Sequence, residues 1–185
     1  KEVRKKHLIK IGQQSYAGIT RRIIQSKYDK GDVLILGSGQ LARDSIKHLM
    51  KKYNIFVSAR NDEKVQELIS DFPNINIRPV AWKDYSSYNN FNSYVNTIGC
   101  SSVIFTDDFF NGHCPENSIF VDLGSPSAIR TSYEKKQGVY RLGDILNHGK
   151  MLDVEKVEKI DQAKSEILTL VEKRAKHLAT TRQSI

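Results

Sequence analysis

The run Val33-Leu34-Ile35-Leu36-Gly37-Ser38-Gly39-Gln40-Leu41-Ala42 limits the possible folds of this chain more than any other segment. Four consecutive apolar residues closed by glycine suit a strand buried on both faces of a parallel sheet. The positions Leu41, Ile46, Leu49 and Met50 then recur at helical spacing to about Lys52, giving an apolar face that can cover the strand. A strand, a glycine turn and a helix in direct succession form a cradle for phosphate. Gly37 permits the tight turn, Gly39 lets a pyrophosphate approach the backbone, and Ala42 is small enough for close helix–strand packing. Ser38 lies between the glycines, and the N–H groups of the helix starting at Gln40 and Leu41 face the anion.

Downstream, the same alternation repeats. Ile55-Phe56-Val57 reads as a second strand, Asn61 or Asp62 caps a helix to about Asp71, and residues 75–80 read as a third strand. Tyr85 to Asn92 reads as a weak helix or loop before a strand at Ser93 to Thr97. Thr106 is placed to cap a short helix holding Phe109 and Phe110. Ile119-Phe120-Val121-Asp122 and Val139-Tyr140-Arg141 read as further strands. Strands alternating with helices predict an α/β fold, a Rossmann-type doubly wound and mostly parallel sheet over residues 31–150. A basic helical segment, residues 1–30, packs on it, and a long C-terminal helix occupies residues 151–185. On that helix Val157, Ile160, Ala163, Ile167, Leu170 or Val171, and Leu178 share a stripe, with Glu155–Lys159 and Glu172–Lys176 pairs outside.

The end of the second strand discriminates between dinucleotides, because a carboxylate there would accept the ribose hydroxyls of NAD and repel a 2′-phosphate. The residues present are Ser58-Ala59-Arg60-Asn61, with no carboxylate before Asp62. NADPH is therefore the expected cofactor, with Arg60 on the 2′-phosphate and Ser58 or Asn61 hydrogen-bonding beside it. Thr97, Gly99 and Gly124, at the carboxyl ends of later strands, are expected to flank the nicotinamide. No catalytic residue is assigned. Cys100 has no identifiable activating base, and His113 beside Cys114 lacks further ligands at metal-binding spacing, so no metal is expected.

Of the net charge of +8, seven units fall in residues 1–30, through Lys1, Arg4, Lys5, Lys6, Lys10, Arg21, Arg22, Lys27 and Lys30 against Glu2 and Asp29. A solvated lysine-rich helix explains this plainly; nucleic acid, a membrane surface or an acidic partner are the functional alternatives. The basic residues lack the interleaved aromatics of a single-strand stacking platform. Without a long apolar run, a signal peptide or paired cysteines, the chain reads as cytoplasmic and not membrane-bound. It begins with Lys, as expected of a processed chain or an excerpt.

Taken together, these motifs resemble the NADPH-binding domain of glutamyl-tRNA reductase. Matching stretches are Gln14-Ser15-Tyr16-Ala17-Gly18-Ile19, the glycine loop, and Ala59-Arg60-Asn61 where that family has Asn-Arg-Thr. Asp122-Leu123-Gly124-Ser125-Pro126 is similar to its Asp-x-x-x-Pro-Arg-Asp run, with Ser127 and Ala128 in place of Arg and Asp. Val139-Tyr140-Arg141-Leu142-Gly143-Asp144-Ile145 is similar to the stretch entering its spinal helix. The resemblance implies reduction of tRNA-bound glutamate, through a cysteine thioester, to glutamate 1-semialdehyde for tetrapyrrole synthesis. The cysteine belongs to an N-terminal domain outside these residues, and neither Cys100 nor Cys114 matches it, so this fragment alone is expected to be inactive. The resemblance also implies glutamyl-tRNA as a partner through that domain, and a homodimer through the C-terminal helix. Alternatives are another NADP-dependent oxidoreductase, such as a shikimate dehydrogenase or a sirohaem-pathway dehydrogenase, or a non-catalytic NADP-binding regulatory module.

Overall fold

The computed structural model describes residues 15–82, 88, 90–113 and 117–182, with residue 3, and side chains of the last helix through 175. Cys114, and the basic residues Lys1, Arg4, Lys5, Lys6 and Lys10, lie outside the described residues, as does the His113 side chain.

Residues 14–147 form one compact unit. It opens with α1, Tyr16–Gln25, whose N-cap Ser15 accepts a hydrogen bond from the Gly18 N–H at 3.1 Å. Its Ile19, Ile23 and Ile24 are buried at helical spacing, and the helix packs against α2. The strand and helix set by the glycine run are β1, Gly31–Leu36, and α2, Gln40–Leu49. There follow β2, Tyr53–Ser58; α3, Asp62–Ser70; β3, Ile77–Pro79; and β4, Ser93–Asn96. The second half contains β5, Phe105–Thr106; α4, Asp107–His113; β6, Ile119–Asp122; β7, Ile129–Arg130; a 3-10 turn, Lys135–Gln137; and β8, Val139–Tyr140. The last helix, α5, spans Leu142–Arg182.

The main sheet has six parallel strands in the order β3-β2-β1-β4-β6-β8. Val33 of β1 faces Ile55 of β2 on one side and Ser93 of β4 on the other, so the first strand in sequence lies in the middle. Chain direction across the sheet reverses at β1, and the crevice beyond the carboxyl ends of β1 and β4 is where such folds take ligands. β5 and β7 make a separate parallel pair.

All of Val33, Leu34, Ile35 and Leu36 are fully buried, as a central parallel strand requires. One face packs on an aromatic cluster in which the Phe120 ring lies 5.0 Å from Phe110, 5.6 Å from Phe105 and 6.0 Å from both Tyr94 and Phe109. β3 is shorter than the expected 75–80, with Ile77 alone buried. Pro79 is tolerated because β3 pairs only with β2, at the sheet edge. β5 and β7, two residues each, are strands the sequence reading did not assign; Thr106, expected to cap a helix, ends the β-forming run Val103-Ile104-Phe105-Thr106 as part of β5.

α5 starts about ten residues before the expected boundary, despite Gly143 and Gly149. Its first turn is held by the Asp144 carboxylate, which accepts the Arg141 N–H at 2.9 Å. The other compact unit contains the helix from His148 onward. Of the expected stripe there, Ala163 is buried, whereas Val157, Ile167, Leu170 and Val171 are 48–59% exposed. Leu152 is buried as well.

Candidate functional site

At the carboxyl ends of β1, β2 and β4 lies a cleft of about 300 Å³ lined by Gly37, Ser38, Gly39, Ala59, Arg60, Asn61, Lys64, Thr97, Ile98 and Gly99. Its floor is the glycine turn. Gly37 has φ +116, and a Cβ on it would sit 2.4 Å from Thr97 Oγ1, so this position admits only glycine. The turn is fixed from both sides: the Gly37 N–H donates to the Ser58 carbonyl at 2.8 Å, and the Thr97 hydroxyl donates to the Leu36 carbonyl at 2.8 Å. Gly39 differs. A Cβ there meets no atom within 4 Å, so its missing side chain leaves open space above the turn.

Gly39 is also the N-cap of α2, with no side chain satisfying the first-turn N–H groups. By contrast α1 is capped by Ser15, and α3, which borders the cleft, by Asn61, whose Oδ1 accepts the Lys64 N–H at 2.9 Å. Gln40 and Leu41 therefore contribute backbone rather than side chains; Gln40 Nε2 turns to Asp44 Oδ1 at 3.0 Å and Leu41 is half-buried. An open cradle, uncapped amides and a helix N-terminus together fit a pyrophosphate.

The charged side chains lining the cleft are Arg60 and Lys64, both exposed and, among the described residues, neither in an ion pair. Lys64 lies in the first turn of α3, four residues after Arg60, and sequence reasoning missed it; a basic residue in the first turn of the helix that follows β2 was the available signal. Two cations and no carboxylate at the end of β2 suit a further anion. Asn61 lines the same wall, its Oδ1 already committed to the cap.

Two expected positions need correction. The Ser58 side chain is fully buried and its hydroxyl bonds the Tyr88 hydroxyl at 2.6 Å, below the cleft rather than in it. Gly124 is buried too; a Cβ there would sit 2.3 Å from the Ile98 carbonyl oxygen, so its glycine serves the contact between the loops after β4 and β6. Gly99 lines the cleft and meets the same loop from the other side, its Cβ position 2.5 Å from the Ser125 carbonyl oxygen.

Those loops are tied by Asp122, which is 1% exposed. Its Oδ1 accepts Asn96 Nδ2 at 2.7 Å and the Gly124 N–H at 3.0 Å, and its Oδ2 accepts the Ser127 hydroxyl at 2.5 Å. Cys100, half-buried, donates its thiol to the Ser102 carbonyl at 3.0 Å and does not line the cleft. Elsewhere, the Thr131 hydroxyl and then the Ser132 N–H hold the Asp107 carboxyl below its ordinary range. Among the described residues, no three metal-ligating side chains cluster, and no helix is long and apolar enough to cross a membrane.

Strand order, switch point and glycine cradle together define a dinucleotide-binding fold of the kind used by nicotinamide oxidoreductases. The sequence profile of the shikimate/quinate 5-dehydrogenase family matches residues 19–146, and the chain belongs to that family. It is also 26% identical over 149 residues to glutamyl-tRNA reductase of Thermosipho melanesiensis, a match covering 80% of this chain. The chain spans 39% of that relative's length.

Among solved structures, the nucleotide-binding domain of glutamyl-tRNA reductase from Thermoplasma volcanium superposes with a TM-score of 0.65 at 21% identity, covering 80% of this chain and 99% of that one. A shikimate dehydrogenase solved in complex with NADP+ superposes with a TM-score of 0.52 at 16% identity, covering 80% of this chain and 61% of that one. At these identities the superpositions establish the fold.

Proposed function

We propose that the cleft binds NADPH and that the chain is the nucleotide-holding part of a glutamyl-tRNA reductase. The observation that carries the cofactor reading is the pair of uncommitted cations, Arg60 and Lys64, on the wall beside the glycine cradle. Gly37, Ser38 and Gly39, with the first N–H groups of α2 at Gln40 and Leu41, would hold the pyrophosphate, and Arg60, Lys64 and Asn61 the 2′-phosphate end. Thr97 and Gly99 would border the nicotinamide. When bound, the nicotinamide supplies the hydride, while these residues supply its position. The sequence match to glutamyl-tRNA reductase supports that enzyme's substrate, with the acyl group presented from outside these residues. In the same reading, the apolar side chains exposed on α5, among them Val154 and Val157, face a second copy of the chain.

The family match favours a second reading, oxidation or reduction of a small hydroxy acid of the shikimate type. The two separate cleanly: nucleotide turnover with shikimate by the intact protein supports the second, and turnover with glutamyl-tRNA the first.

Fluorescence titration tests the cofactor. A charge-assisted contact is worth enough that NADPH should bind at least roughly tenfold tighter than NADH, and Arg60→Ala and Lys64→Ala should each narrow the gap. Equal affinities for the two nucleotides would remove the role given to these cations.

A further inference from the structure

Arg43 lies in the first turn of α2, outside the cleft lining, yet it grips the phosphate loop. Its Nη1 donates to the Ser38 carbonyl at 2.6 Å, while its Nε donates to Asp71 Oδ2 at 2.6 Å. Asp71 is the C-cap of α3, the helix whose first turn carries Lys64. A single planar guanidinium thus ties the loop between Gly37 and Gly39 to the far end of the helix that borders the other side of the cleft. In a trans peptide the C=O and the following N–H point in opposite directions. Holding the Ser38 carbonyl on Arg43, out of the cleft, turns the Gly39 N–H the other way.

We propose that Arg43 is a positioning residue for the pyrophosphate: it keeps the Ser38–Gly39 peptide from presenting its carbonyl to the anion. The proposal rests on the nucleotide-binding reading above. Without the brace the peptide is free to rotate, and a carbonyl oxygen facing two phosphates is repulsive where an N–H is attractive. Arg43 itself need not touch the ligand.

The test compares two ligands on the full chain. NADPH uses both the loop and the Arg60–Lys64 wall, whereas adenosine 2′-monophosphate carries the 2′-phosphate without a pyrophosphate and uses the wall alone. For Arg43→Met, the NADPH dissociation constant should rise roughly tenfold while that of adenosine 2′-monophosphate stays at the wild-type value. Arg43→Lys should lose most of the same NADPH affinity, because one ammonium keeps the charge but does not fork between Ser38 and Asp71. Thermal unfolding of both variants checks that the domain is intact, and Arg43→Lys carries the test should Arg43→Met not fold. Unchanged NADPH binding in Arg43→Met, equal loss of both ligands, or wild-type affinity in Arg43→Lys would each overturn the positioning role. Failure of the wild-type chain to bind either ligand would instead bring down the nucleotide reading, and this proposal with it.

Discussion

Gly37 and Gly39 stand two residues apart in one turn and must lack side chains for different reasons. At Gly37 the backbone has φ +116 and the Cβ position collides with Thr97 Oγ1, so Gly37→Ala strains the unliganded protein, at a cost of roughly 1–3 kcal/mol. At Gly39 the N-cap φ is −81 and the space is open, so an added methyl meets no clash. Alanine there gains about 0.4–1 kcal/mol through the unfolded state but loses a similar amount as a poorer N-cap than glycine, so stability should change little while NADPH binding weakens as the cradle fills. Denaturant unfolding with nucleotide titration reads both effects; a Gly39→Ala variant that binds NADPH normally would place the pyrophosphate elsewhere. Gly39→Val should abolish binding of NADPH and NADH alike. The glycines were legible because their spacing and context are rigid requirements. Ser58 was misread for a physical reason: in a strand covered on both faces, alternation does not say which way a side chain points. Its partner, Tyr88, comes thirty positions later from a segment without periodicity.

Among the elements, β4 and β6 show how a buried charge shapes loops. Three donors converge on the Asp122 carboxylate, and they join the end of β4 to the loop after β6, the loop that meets Gly99 at the cleft. Asp122→Ala leaves the Asn96 amide and the Gly124 N–H without their acceptor and should cost roughly 3 kcal/mol of stability in urea unfolding. Asp122→Asn keeps an acceptor for Asn96 and Gly124, and the Ser127 hydroxyl can reverse its bond, so it should cost clearly less. Equal losses would mean that the charge, not the hydrogen-bond geometry, is what matters. The sequence displayed Asp122 at a strand end but not this role, because one partner is 26 residues upstream and the other two, 2 and 5 residues downstream, are brought to it only by the fold of the loop. The start of α5 was hidden by Gly143 and Gly149, whose helix-breaking tendency is overridden by the cap that Asp144 provides.

Across the whole molecule, the doubly wound, mostly parallel sheet followed from sequence because alternating strands and helices leave few ways to stack, whereas the order of the strands came only with the structure. The aromatic core did not follow from sequence either, since nothing local announces that Phe105, Phe109, Phe110 and Tyr94 converge on Phe120. Phe120→Ala should destabilise residues 14–147 by roughly 3–5 kcal/mol, measured by denaturant unfolding; a loss under about 1 kcal/mol would mean that the cluster repacks freely. The central place of β1 also bears on synthesis. Its pairing with β2 can form once residue 58 is available, but its other edge stays open until residues 93–96 arrive. While the ribosome adds the intervening residues, the most apolar strand of the protein presents unpaired N–H and C=O groups along one side, the arrangement that recruits other chains into aggregates. Stalling translation with β1 and β2 outside the ribosome but β4 still in its exit tunnel should therefore leave nascent chains that depend on a chaperone for solubility, and stalling only once β4 and β6 have both emerged should relieve that dependence.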